Sequence, residues 1–170
     1  GLTKSKGEGD MDMWLIRTNR DGEVAWDKTY GGSDADIAHG IVQTYDGGFG
    51  LIGITKSHIR GARRYNMSLV KTDRYGMLEW EESFGGNKED IGNCITQVHD
   101  GSLYMGGGTT SDSKNAKNAW TIKTTASKEE AFALANLAIQ GQTLSTSLVV
   151  FKAENEDDLL KPNEKTYLLF

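Results

Sequence analysis

The feature that most constrains this chain is that it copies itself. Trp14–Ser57 lies over Ser68–Ser111 without a gap, and identical residues fall at Leu15/Leu69, Thr18/Thr72, Gly22/Gly76, Trp26/Trp80, Gly31-Gly32/Gly85-Gly86, Asp36-Ile37/Asp90-Ile91, Ile41/Ile95, Gln43/Gln97, Asp46-Gly47/Asp100-Gly101, Gly53/Gly107 and Thr55/Thr109. The matches extend outward. Gly1-Leu-Thr-Lys-Ser5 returns as Gly53-Ile-Thr-Lys-Ser57, and Trp14-Leu-Ile-Arg-Thr18 returns as Trp120-Thr-Ile-Lys-Thr124. A repeat of this length is one supersecondary unit that buries its apolar face only by stacking on the next copy.

Within a copy the punctuation predicts strands. Residues 12–19, 23–30, 37–45 and 48–56, then 66–73, 77–84, 91–99 and 102–110, and finally 118–125, are short runs rich in Ile, Val, Trp, Thr and Tyr bounded by glycine or Asp-Gly. Asp21-Gly22 and Asp46-Gly47 are expected to be tight two-residue hairpin turns in which both residues take positive φ, pairing successive strands antiparallel. In 48–56, Phe49 and Leu51 share one face and Ile52 and Ile54 the other. The reading is a mainly β chain of three repeat units, 1–30, 31–84 and 85–125.

After Thr124 the pattern stops, and 126–170 is expected to be a divergent segment with one helix and two strands. Ser127-Lys-Glu-Glu130 has the spacing of a capping box, 128–140 carries a helical apolar face ended by Gly141, and Thr143–Lys152 and Thr166–Phe170 read as strands.

Composition narrows the function classes. The 21 glycines with one proline fit many glycine-turned strands, and a net charge of -5 argues against nucleic acid as a partner. Cys94 is the single cysteine, so no intrachain disulfide forms. No apolar run approaches the ~20 residues of a membrane span. A start at Gly1, in the middle of a repeat, is expected of a processed or excised piece.

The segment Thr29-Tyr-Gly-Gly-Ser-Asp-Ala-Asp-Ile-Ala-His-Gly-Ile-Val42, followed by Asp46-Gly-Gly-Phe49 and Gly53-Ile-Thr55, resembles the bacterial and archaeal β-propeller repeats with the Y-GGS-DD signature, found mostly in secreted and cell-surface proteins. The resemblance covers roughly 1–125. It implies four-stranded antiparallel blades, with 37–45, 48–56, 66–73 and 77–84 as strands A to D of one blade. It also implies an extracellular or cell-surface location. A propeller closes with typically four to eight blades, whereas this chain holds two and a half, so a protein partner or further copies of the chain are expected to complete the ring.

No residues form a catalytic constellation, and the chain is expected to be a non-enzymatic interaction scaffold without a cofactor. On the blade reading, turns 21–22, 46–47, 75–76 and 100–101 lie at one end. The Gly-Gly loops and the longer connections lie at the other, where loops on a rigid scaffold commonly bind. The candidate ligand or partner residues there are Asp34, Asp36, Arg60, Arg63, Arg64, Tyr65, Glu89 and Asp90. Asp10, Asp12, Asp34 and Asp36 read as turn acceptors and not as a metal site, because the second copy has Lys88-Glu89-Asp90. Gly48-Phe-Gly-Leu-Ile-Gly53 spells a dinucleotide fingerprint but sits inside a strand with no helix following. His39, His58 and His99 have no partner spacing for zinc or a triad, and Cys94 is expected to be a small buried thiol. Trp26 and Trp80 are expected to pack between units. The alternative is a carbohydrate-binding module that closes a propeller by oligomerisation and lines its pockets with Trp, Arg and Glu.

Overall fold

The computed structural model describes residues 1–57, 64–111 and 117–124. The expected helix 128–140, the strands at 143–152 and 166–170, and the candidates Arg60 and Arg63 lie outside the described residues. The described residues are mainly β, without a helix. Their ten strands are β1 (Leu2–Thr3), β2 (Asp12–Thr18), β3 (Val24–Tyr30), β4 (Asp36–Gln43), β5 (Phe49–Thr55), β6 (Asn66–Thr72), β7 (Leu78–Phe84), β8 (Asp90–Gln97), β9 (Leu103–Thr109) and β10 (Asn118–Lys123). Each strand expected from the glycine punctuation is present to within one or two residues. The two-residue β1 is additional.

The strands form three separate antiparallel sheets, in the orders β1-β2-β3, β4-β5-β6-β7 and β10-β9-β8. None closes on itself. The irregularities repeat with the sequence: the register shifts at Arg17/Thr18 and Lys71/Thr72, and again at Ala38/Gly40 and Gly92/Cys94. Recurrence at equivalent positions marks these bulges as built features. Next to the second pair, a Cβ on Gly53 or Gly107 would run into the carbonyl oxygen of Ile37 or Ile91, which explains why both copies keep glycine there.

The turns differ from expectation in one respect. Gly22, Gly47, Gly76 and Gly101 have φ of 83°, 85°, 74° and 90°, and no other residue type has positive φ among the described residues. The preceding residue therefore stays in the ordinary region, and the loop is longer than two residues, with Gly47 N–H donating to Thr44 O at 2.8 Å and Thr44 N–H to Gly48 O at 3.0 Å. The aspartate acts through its side chain instead: Asp46 Oδ1 accepts from the Gly48 amide at 2.8 Å and from the Thr44 hydroxyl at 2.5 Å.

Two apolar clusters fill the spaces between sheets. Met13, Leu15, Tyr30, Leu51 and Val70, with Trp26, Ala38 and Phe49, lie between the first and second sheets. Ile52, Met67, Leu69, Phe84, Leu103, Met105, Trp120 and Ile122, with Val42, Trp80 and Ile95, lie between the second and third. Leu51 and Ile52 are consecutive on β5 and serve opposite clusters, as strand alternation requires. Full burial of such a side chain stabilises by about 1.5–3 kcal/mol, so the central sheet gains on both faces. Trp26 and Trp80 pack between sheets as expected, and Trp26 meets Phe49 edge-on at 5.8 Å.

Candidate functional site

The register places Asp36 opposite Thr55, Thr55 opposite Asn66 and Met67 opposite Phe84. One end of the second sheet therefore gathers the Gly-Gly loop before β4, the connection after β5 and the Gly-Gly loop after β7. The hairpin turns gather at the other end.

At the loop end each signature loop is stapled by its own residues. Asp36 Oδ2 accepts from the Gly32 amide at 2.9 Å and from the Ser57 hydroxyl at 2.6 Å, and Ser57 Oγ accepts from the Asp34 amide at 3.0 Å. The second copy repeats this: Asp90 Oδ2 accepts from Gly86 N–H at 2.9 Å and Ser111 O–H at 2.7 Å, and Ser111 Oγ accepts from Lys88 N–H at 3.2 Å. Asp90 Oδ1 takes a further bond from the Thr109 hydroxyl. Asp36 is 1% exposed and Asp90 0%. A buried carboxyl group needs such hydrogen-bond partners, so these two candidates hold the loops and present nothing to a ligand. The loop ends also join neighbouring sheets, through Asp36 N–H to Met11 O at 2.6 Å and Asp90 N–H to Tyr65 O at 2.9 Å.

The staples leave Asp34, Arg64 and Glu89 exposed at this end. Tyr65 is half-buried under the Lys56 ammonium, 4.2 Å from its ring centroid, a contact worth about 0.5–1 kcal/mol at such a site. Sequence reasoning missed Lys56. Its signal was weak: it stands beside the repeated Ser57 yet becomes Thr110 in the second copy.

The edge strands β4 and β8 of the second and third sheets lie side by side. A Cβ on Gly40 would stand 3.2 Å from Asn93 O and 3.5 Å from Cys94 Cα. The bulge turns His39 outward from β4, so that its Nδ1 meets Gly92 O on β8 at 2.7 Å. Gln97 ties the other end of the pair, accepting from Tyr45 N–H at 2.7 Å and donating to Gly101 O at 2.8 Å. Cys94 is exposed, contrary to the expectation of a buried thiol. It follows the bulge residue Asn93 on the edge strand β8, and the burial assumed from its place on a strand is not supplied there.

At the turn end, Lys71 and Lys123 are each 7% exposed. Lys71 Nζ donates to Asp46 at 2.8 Å, Glu79 at 2.7 Å and Thr72 O at 2.9 Å, and Lys123 Nζ to Asp100 at 2.9 Å. Burial pushes the Asp46 carboxyl up, but hydrogen bonds from Lys71, Thr44 and the Gly48 amide outweigh it and hold it at about 2. Hydrogen bonds from Ser102 and Lys123 hold Asp100 lower still.

Among the described residues no group of three or more His, Cys, Asp or Glu side chains is arranged to hold a metal ion. No helix among them is long and apolar enough to cross a membrane. Set against known protein families and against curated proteins, the chain matches none.

Proposed function

We propose that the three sheets are successive blades of a β-propeller-type repeat array of the Y-GGS-DD kind. On this reading the chain is a non-enzymatic interaction scaffold of the extracellular space or cell surface, binding another macromolecule through its loop end or its 126–170 segment. The observation that carries this is the side-by-side packing of two like-placed edge strands, β4 and β8, each preceded by a Gly-Gly loop fixed by an Asp and a Ser. A rigid frame with exposed, non-repeating side chains at one end is the arrangement binding loops use. Asp36 and Asp90 belong to the frame. Recognition falls to Asp34, Arg60, Arg63, Arg64, Tyr65 and Glu89, with Lys56 over the Tyr65 ring.

The reading requires the array to be completed by a protein partner or by further copies. Light scattering of the chain tests the second of these: a closed oligomer supports it and a monomer at micromolar concentration overturns it. Charge reversal at Asp34, Arg64 and Glu89 tests the loop end. A captured extracellular partner is expected to lose binding to the triple variant while the fold is kept; unchanged binding removes the loop end from the proposal.

The carbohydrate-binding alternative has to be recast, because Trp26 and Trp80 pack between sheets and Trp120 is 7% exposed. Stacking on a sugar would fall to Tyr45 and Tyr75 at the turn end, exposed to 69% and 65%. A glycan array without a binder at millimolar sugar would end that alternative.

A further inference from the structure

The junction between the first and second sheets holds two buried carboxyls that face each other. A Cβ placed on Gly31 would lie 2.5 Å from Asp36 Oδ2 and 2.9 Å from Asp12 Oδ1, so both groups converge on one backbone position. Asp12, on β2, is 3% exposed and Asp36, on β4, 1%. Asp36 is fixed as an acceptor, since the Gly32 amide and the Ser57 hydroxyl both donate to its Oδ2. The same point in the next junction is built differently. There Asn66 occupies the place of Asp12, and a Cβ on Gly85 would lie 2.7 Å from Asn66 Oδ1 with Asp90 on its other side. An amide beside a carboxylate carries one charge where the first junction has two ionisable groups.

Among the described residues, the elements packed around Asp12 offer it no compensating cation. Thr3 pairs with it from β1, and Glu8 and Asp10 stand on the 4–10 loop, where Lys4 is 3.7 Å from Asp10. Lys56, beside Ser57, is engaged over the Tyr65 ring. Among the described residues, the charges that act on Asp12 are those of Asp36 and Glu8. Two like charges this close in a buried site do not both ionise without cost.

We propose that this junction is held by a proton: with one proton on the Asp12–Asp36 pair the first sheet closes on the second, and when the pair loses it the two carboxylates loosen the contact. Burial is the largest cause and, with the charges of Asp36 and Glu8, it outweighs a hydrogen bond from the Glu8 backbone amide and raises the Asp12 carboxyl above its ordinary value of 3.8. A group whose folded pKa lies above its unfolded one contributes stability that is present at low pH and lost as pH rises through the folded value. The first junction therefore weakens with rising pH. The second, with Asn66, does not.

Amide hydrogen exchange on the full chain reads both junctions at once. The Asp36 N–H donates to Met11 O across the first and the Asp90 N–H to Tyr65 O across the second, so their ratio cancels the common pH dependence of exchange. Between pH about 4 and about 7, the protection of Asp36 is expected to fall severalfold relative to that of Asp90. Asp12→Asn should abolish the fall, and Asn66→Asp should impose one on Asp90. A ratio that stays constant in the unaltered chain overturns the proposal, as does a fall that persists in Asp12→Asn. If Asp12→Asn does not fold, Asn66→Asp decides: an unchanged Asp90 overturns the proposal, and a new pH-dependent fall upholds it.

Discussion

Strands β2 and β6 hold the same place in successive repeats and read almost alike, Met13-Trp-Leu-Ile-Arg-Thr18 against Met67-Ser-Leu-Val-Lys-Thr72. Their surroundings differ. β6 lies between β5 and β7 and is buried along its whole length, whereas β2 has β3 on one side and only the two residues of β1 on the other. Ile16 is 40% exposed where Val70 is 2%, and Arg17 is exposed where Lys71 is 7%. The side chains that match in sequence do not match in burial, because a strand in the middle of a sheet owes its burial to its neighbours. The repeat specifies what a position can do, and the flanking strand decides whether it does it.

The largest effect should come at Arg17 and Lys71. Lys71 is buried against Asp46 and Glu79, whose side chains are 56% and 42% exposed. Arg17 reaches outward to Arg74 O at 2.9 Å. Removing one partner of a fully buried pair costs ~3–5 kcal/mol, but both carboxylates here regain water, so Lys71→Ala is expected to cost about 2 kcal/mol. Arg17→Ala should stay within ~0.5 kcal/mol. Equal losses in denaturant melts would break the comparison. Acid sharpens it. Asp46 is held at about 2, below its ordinary 3.8, so its stabilising share is complete above the unfolded value and is lost as pH falls towards 2. Lys71→Ala should flatten that acid limb, and Arg17→Ala should leave it in place.

The next effect should be equal in two copies. Ser57 and Ser111 make the same two bonds, to the Asp36 or Asp90 carboxylate and from a loop amide. Ser57→Ala and Ser111→Ala each strip one donor from a buried carboxylate, at about 1–2 kcal/mol. Thermal melts of the two variants should agree. A much smaller loss at one of them would mean that its loop is not fixed by the staple.

The frame was legible in the sequence because its causes are local. Glycine at 22, 47, 76 and 101, and the alternation of Leu51 and Ile52, mark strand ends and faces without reference to the rest of the chain. The exposure of the candidate residues was not legible. Asp34 and Asp36 are two positions apart and chemically identical, yet one is exposed and the other is buried under Ser57, a residue that reaches it only after β4 and β5 have paired. The repeat held a clue that was readable: Asp36 and Asp90 recur, as do Ser57 and Ser111, while Asp34 becomes Lys88. Positions that recur serve the frame. Cys94 failed as an expectation for a related reason, since a bulge at Asn93 shifts the strand and no pattern of residue types announces it.

The smallest effect concerns Trp14 and Trp120, which hold equivalent places in β2 and β10. Trp14 Nε1 donates to Asp27 Oδ2 on β3 at 2.9 Å, and the Lys6 ammonium stands 5.6 Å from its ring. Trp120 Nε1 is buried and has no hydrogen-bond partner among the described residues. Replacing either by Phe removes the same ring atoms, from the core cluster at Trp120 and from a half-buried site at Trp14, but only Trp14 gives up a made bond, and it leaves Asp27 with one donor fewer. Trp120→Phe instead removes a donor that was desolvated without return. The difference between the two losses should be about 1 kcal/mol, with Trp14→Phe the more damaging. The same Asp27 carboxyl is held below its ordinary value, first by the Lys6 hydrogen bond and then by the Trp14 one, so Trp14→Phe should let it rise in an NMR titration while Trp120→Phe leaves it where it is. Equal stability losses with an unmoved Asp27 would mean that the indole bond contributes nothing, and that the two positions differ only in how much surface they cover.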